Sequence, residues 1–386
     1  MLFLAQADIA GTLVWFVMFF VLIFLYPRLM LSQMIYKIEQ SAIRMEAMTK
    51  KSMIIVNRKA GGRREDKNKI DAFTEFFVVE PSAIDPYGLV KKIDAIVRSM
   101  EDRFDQFVDE LVPHKNYNDK QDINYGLRAA IGLKQMSKIV RHYVELAKKF
   151  KNLQIAMILQ MQLPIIEKIA ESELKGTEAF VNEWPVGDSI GALAAAEMME
   201  DSKEVAEDVM MDTTTIDGRK CFVLKAKGPA PHLGRVDEAV ELIMKKHKIA
   251  RIVTIDAGLK LEGEPTGAVA EGVGFAMGGW GEREIIENFL LPKKIRIDSI
   301  VVKVGFEEAL VPMKKEIFNS TPKVHEYIKR SVARAKKGDN IIIIGVGNSC
   351  GIGNNKKELK DVKPLVEQLD RKLKKEEKET KKRRWI

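Results

Sequence analysis

The chain has 386 residues, 46% apolar and 31% charged, enough for about two or three domains with cores of their own. This excludes a disulfide-stapled module, a wholly disordered chain and a polytopic membrane protein. Cys221 and Cys350 are the only cysteines, with no CxxC or Cys/His cluster to hold structural zinc, so a reducing compartment is expected. The net charge of +8 is uneven: residues 28–64 carry +7 and 355–386 carry +6, while 65–354 carry −4. The positive excess therefore belongs to segments that can meet anionic lipid or RNA, not to the body.

Residues 9–26, IAGTLVWFVMFFVLIFLY, are 18 residues without a charge. As a helix they extend about 27 Å, matching a hydrocarbon core of roughly 30 Å. A secretory signal would have basic residues ahead of the run and small residues after it, whereas here Asp8 precedes it and Tyr26-Pro27-Arg28 ends it. Arg28, Lys37, Arg44, Lys50 and Lys51 all follow. The positive-inside rule then predicts a single-pass protein of the cell membrane, with its N-terminus outside and its body in the cytoplasm.

Beyond the span, Leu31, Met34, Ile38, Ser41, Met45 and Met48 recur at spacings of three and four, the seam of a short coiled coil. The seam either pairs two chains, giving a homodimer through the juxtamembrane helix, or packs against this chain's own helices. Residues 57–70, with two glycines and a charge run, read as a linker. Val90, Ile93, Val97, Met100, Phe104, Phe107 and Leu111 then share one face of a long helix. A second helical pattern covers about 122–150 and a third covers 153–174. In the third, Pro164 marks either a kink or a new helix start, and Gly176 reads as the stop.

From about residue 177 the pattern changes to alternating strands and helices. Apolar strands are expected at 221–224, 249–255, 299–304 and 340–346, with helices at 189–200, 235–247, 282–290 and 322–336. Such alternation predicts an α/β domain with a mostly parallel sheet covered on both faces. The predicted organisation is a transmembrane anchor (1–27), a basic juxtamembrane helix and linker (28–70), a helical domain (71–176), the α/β domain (177–354) and a basic tail (355–386).

In parallel sheets ligands bind beyond the carboxyl ends of the strands, and four polar clusters fall there. The first, PVGDSIG, places Gly187, Asp188 and Ser189 at the start of a small-residue helix, where Asp188 or Ser189 could equally serve as an N-cap. The second, TIDAG, places Asp256 and Gly258 at the end of a strand. The third, GPAPHLG, contains His232. The fourth, IGVGNSCGIGN, contains Gly345, Gly347 and Asn348. Its glycine spacing is one residue too long for GxGxxG, and no P-loop, HExxH or GxSxG signature is present. The glycines between 258 and 281 predict a long loop able to cover the site.

Two resemblances add to these readings. Almost the whole chain resembles an archaeal membrane-anchored family catalogued as domain of unknown function 1512, through YPRLM, EPSAIDPYG, VGDSIGALAA, KGPAPHLGR, TIDAG and GVGNSCGIGN. More distantly, residues 177–354 resemble the phosphorylase/hydrolase-like fold of hydrogenase maturation proteases and the spore germination protease. That resemblance implies a catalytic pair at Asp188 and Asp256, and a divalent metal with His232 as an added ligand. In those proteins the strand-GxGN motif directly precedes the acidic helix start. Here Gly347-Asn348 stands at the opposite end of the domain from Asp188.

Two carboxylates within a few ångströms cannot both ionise freely, so one keeps a proton as acid while the other takes a proton from water. They could instead clamp a metal that activates water. The chain is therefore read as a membrane-tethered, peptidase-like hydrolase, or as a non-catalytic membrane-anchored scaffold whose polar loop residues are ties. The tail, with thirteen basic and seven acidic residues and Trp385 as its only aromatic, offers no stacking platform for nucleic acid. It is either a solvated end or an anionic-lipid contact.

Overall fold

A computed structural model describes residues 2–79, 88–277, 287, 290 and 293–384. Most of EPSAIDPYG, most of the 282–290 helix pattern, Gly278, Gly279, Gly281 and Trp385 lie outside the described residues. The chain divides into two compact units, one of residues 1–51 and 132–171, the other of residues 52–131 and 172–386.

The first unit is built from three long helices. One continuous helix contains α1 (Leu2–Phe20), a π-helical turn (Val21–Leu25) and the first part of α2 (Tyr26–Ala60). Residues 11–29 are exposed along their whole length, in a helix long and apolar enough to cross a membrane. The middle of the predicted seam is covered within the chain: Ile38 and Met45 are fully buried and Ser41 nearly so, while Leu31, Met34 and Met48 are half-buried. The second half of α5 (Tyr117–Phe150) and the first part of α6 (Leu153–Val181) complete this unit. Arg141 reaches Glu46 at 2.6 Å, Lys148 reaches Glu39 at 2.5 Å, and Arg44 reaches Glu167 at 2.5 Å. The first two contacts set α5 antiparallel to α2.

In the second unit, α2 runs to Ala60. Gly61 and Gly62, both at positive φ, turn the chain into α3 (Arg64–Phe73). Helix therefore occupies most of the stretch read as a linker, because Asp66 and Ile70 are buried and anchor α3. Phe73, Phe76, Phe104 and Phe107 form an aromatic cluster between α3 and α4 (Leu89–Leu111). α6 continues unbroken through Pro164 and past Gly176. Gly176 is not a stop: a Cβ there would sit 3.3 Å from Leu310, so packing explains the glycine.

The sheet has seven strands in the order β1-β2-β3-β7-β4-β6-β5. They are β1 (Lys203–Ala206), β2 (Val209–Ile216), β3 (Arg219–Ala226), β4 (Ile249–Leu259), β5 (Val269–Val273), β6 (Arg296–Val304) and β7 (Asn340–Gly345). The expectation of a mostly parallel sheet is corrected: β3, β7, β4 and β6 are parallel, while β1, β2 and β5 add antiparallel edges. The expected 258–281 loop likewise contains β5, which pairs with β6 as an edge strand.

Helices cover both faces. α7 (Ile190–Ala196), α10 (Thr321–Ala333) and the start of α11 (Val362–Arg384) bury one face with Cys221, Val223, Val253, Ile255, Ile341 and Ile343. The short α9 (Lys315–Phe318) adds Ile317 to the same core. α8 (Val236–Lys246) buries the other face with Phe222, Leu224, Ile252, Ile342 and Ile344. Continuous aliphatic runs such as that of β7 are what a strand covered on both faces requires.

Candidate active site

The chain arrives at Asp188 from α6 through a segment strapped to residues 309–313. Gly187 N–H donates to Val311 O at 3.1 Å and Asp188 N–H to Ala309 O at 2.8 Å, while Met313 N–H donates to Pro185 O at 2.7 Å. A 3-10 turn, Gly187–Ser189, then feeds α7. α7 lies against the carboxyl ends of β4 and β7 so closely that a Cβ on Gly191 would stand 2.1 Å from Val346 O and 2.4 Å from Ile255 O. Gly345 is the matching bare position on β7, where a Cβ would meet Gly191 O at 2.2 Å.

This packing brings together two motifs that the sequence separates. Asn348 N–H donates to Asp188 Oδ2 at 2.8 Å. Gly347, at φ +100°, passes so near that a Cβ would lie 2.2 Å from Asp188 O. The strand-GxGN loop and the acidic helix start are thus neighbours in space. Asp188 is half-buried. Loss of solvent pushes its carboxyl above the ordinary aspartate range, and the single Asn348 N–H pulls against that shift without reversing it.

Asp256 is nearly buried, at 6% exposure. It does not end its strand: β4 continues to Leu259, and Asp256 pairs with Val301 of β6. β7 stops beside Ile255, so Asp256 borders the open edge on that side only. Strand alternation puts Val253 and Ile255 in the α7 core, so Asp256 leaves the backbone on the opposite, α8 face with Ile252. Asp188 and Asp256 therefore approach the sheet edge from opposite faces. Gly258 lies within β4 and not in a loop, and Val301 Cγ1 would stand 2.2 Å from a Cβ there.

The remaining motif residues tie loops to one another. His232, 3% exposed, is 3.1 Å through Nδ1 from Asp208 Oδ2 and stacks on Tyr117 at a centroid separation of 5.5 Å. Its backbone N–H donates to Ser349 Oγ at 3.1 Å. Ser189 Oγ donates to Cys350 O at 3.2 Å. Asn354 accepts from Gly228 N–H at 2.8 Å and donates to Gly228 O at 2.7 Å. Among the described residues, no three His, Cys, Asp or Glu side chains are grouped as a metal site would need. The metal role implied for His232 therefore has no ligand set around it.

Sequence reading missed two features. Lys225, on β3 beside Gly345, is fully buried, with Nζ donating to Ala226 O at 2.6 Å and Asn354 Oδ1 at 3.2 Å. Burial lowers its pKa to about 7, with the Glu358 charge opposing. Nothing in the local sequence marks this lysine, because its burial depends on the closing loop at 354. At the opposite end of α7 from Asp188, His325 Nε2 meets Glu197 Oε2 at 2.6 Å beside a recess of about 390 Å³.

Two family matches divide the chain almost where α6 ends. The protein of unknown function (DUF1512) N-terminal domain matches residues 12–183, and the domain of unknown function (DUF1512) C-terminal matches residues 186–353. The chain belongs to the DUF1512 family. The family boundary, between 183 and 186, coincides with the Val186–Pro312 bridge that straps the entry to Asp188. No curated protein and no solved structure matches the chain.

Proposed function

We propose that this DUF1512 protein is a single-pass membrane protein, N-terminus outside, that holds a peptidase-like hydrolase body at the cytoplasmic face. The observation that carries the reading is the Asn348–Asp188 hydrogen bond of 2.8 Å. It sets the strand-GxGN loop against the acidic helix start, the arrangement that the resemblance to hydrogenase maturation proteases and the germination protease requires. Asp188 keeps its proton to higher pH than an exposed aspartate, which suits it to protonate a leaving amine. Asp256, at the same sheet edge, takes the proton from the attacking water. The C–N bond of the peptide breaks as the new C–O bond replaces it. Membrane attachment is supported by the uncharged, exposed helix and by the basic residues that follow it.

A specific observation favours the second reading, a non-catalytic membrane-anchored scaffold. The two aspartates leave opposite faces of the sheet, and His232, Ser349 and Asn354 are engaged by other loops. One experiment separates the readings. The purified full-length protein in nanodiscs is incubated with a proteome-derived peptide library between pH 4 and 8, and products are identified by mass spectrometry. The hydrolase reading expects cleavage that Asp188→Asn and Asp256→Asn each abolish. Cleavage equal in wild type and both variants, or none at all, leaves the scaffold.

A further inference from the structure

The α5–α6 turn is placed with respect to the span by the ion pairs of the first unit. Lys148, opposite Glu39, lies about 20 Å along α2 from Tyr26 at 1.5 Å per residue. Phe150 lies two residues nearer the span, at the end of α5. On the returning helix, Glu167 is opposite Arg44. Counting back to Leu153 puts the start of α6 level with about residue 30. Three residues span at most about 10 Å and must also cross between the two helix axes, so the turn stands between these levels, about 8–14 Å beyond Tyr26. Headgroups extend roughly 5–8 Å beyond the hydrocarbon on each side, within reach of phenylalanine and lysine side chains from such a turn.

The chemistry of the turn fits that location. Phe150, 61% exposed, sits between Lys149 and Lys151. Lys149 Nζ lies 5.5 Å from the Phe150 ring centre. Neither Lys149 nor Lys151 has a carboxylate partner among the described residues. Lys151 holds φ +47°, a backbone conformation that favours glycine. A cationic side chain stands where the turn geometry alone would select none. Arg28 and Lys37 on α2 add positive charge at neighbouring levels.

We propose that the α5–α6 turn is a second membrane contact, a foot that seats Phe150 among the headgroups of anionic lipids while Lys149 and Lys151 pair with their phosphates. The proposal rests on the membrane-anchored reading above. An aromatic ring flanked by basic residues is the usual chemistry of an interfacial contact. Two contacts fix the tilt of a helix that a single span would leave free to swing.

The test uses the full chain in vesicles containing phosphatidylserine. Both native cysteines are buried, so Phe150→Cys takes an environment-sensitive fluorophore selectively, and Ile139→Cys, farther up α5, serves as reference. The expected result is blue-shifted emission at 150, quenched by spin-labelled lipid, with 139 unaffected. Replacing Lys149 and Lys151 by serine should lower the equilibrium constant for lipid contact, read from the quenched-to-unquenched ratio, about five-fold per charge, and pure phosphatidylcholine should also lower it. Equal solvent access at 150 and 139, in protein that resists alkaline carbonate extraction, overturns the foot and leaves the anchor standing. Extraction into the carbonate wash overturns both. Shielding at 150 without lipid quenching, accompanied by cysteine cross-linking between copies, assigns the turn to a second chain and also overturns the foot.

Discussion

Asn348 N–H and Asp188 Oδ2 are joined by a 2.8 Å hydrogen bond across 160 residues of chain. Removing the acceptor strands a peptide N–H in a half-buried setting, which costs about 1–3 kcal/mol. Asp188→Ala should therefore lower stability by that amount. Asp188→Asn keeps a carbonyl oxygen for Asn348 and should cost less, while removing the acid. Chemical denaturation followed by circular dichroism reads the difference. Equal losses for the two variants would mean that the bond carries no stability.

The contact between α7 and the strand ends predicts a sharp contrast among glycines. Gly191→Ala drives a methyl into Val346 O and Ile255 O, and Gly347→Ala adds positive φ to a clash with Asp188 O. Each should cost more than about 3 kcal/mol or prevent folding. Gly263 also has positive φ, at +91°, but open space around it, so Gly263→Ala should cost about 1–2 kcal/mol. A Gly191→Ala protein with wild-type melting behaviour would show that α7 does not lie where it is placed.

Lys225 gives a pH dependence whose sign is fixed by its lowered pKa of about 7. The unfolded chain binds this proton up to about pH 10.4, so between pH 7 and that value the unfolded state holds more protons. Stability from this residue therefore rises with pH across that window and is lowest where the folded lysine is charged. Lys225→Met should flatten the rise. Melting temperatures of the two proteins measured from pH 6 to 10 should converge toward the alkaline end. A constant difference across the range would refute the buried, near-neutral amine.

His232 is predicted to act on Asp208 and not on a metal. Asp208 is partly desolvated, which raises its pKa, but His232 and then Tyr117 more than offset this and hold it below the ordinary range. Tyr117 Oη donates to the same carboxylate at 2.6 Å. His232→Leu should destabilise the protein by about 1–3 kcal/mol with no change in metal content. Elemental analysis of both proteins decides: a metal present in wild type and lost from the variant would restore the ligand role.

The parts of this structure legible in the sequence are those fixed by local pattern. The uncharged run before Pro27, the α4 stripe through Phe104, and the aliphatic strand of β7 each follow from periodicity. The β2–β3 hairpin was signalled at Asp217-Gly218, both at positive φ, although apolar runs alone place only 221–224 of it in a strand. β5 was not, because glycines flank an edge strand with one face half-covered. The linker reading of 57–70 failed because Asp66 gains Arg63 at 2.8 Å and Ile70 gains the aromatic core, contacts that composition does not register. At the site, motif glycines located the sheet edge. Which face Asp256 leaves from depended on the register of β4, and the burial of Lys225 on a loop 129 residues away.

A Cβ on Gly351 would stand 2.3 Å from Pro185 N, so the loop after β7 ends against the residue that introduces the helix bearing Asp188. Chain order and spatial order thus differ in this body by one cut and one join. A short peptide linking the loop after β7 to Pro185, with new termini opened in a surface loop elsewhere, would write the strand, the glycine-asparagine turn and the acidic helix in direct succession.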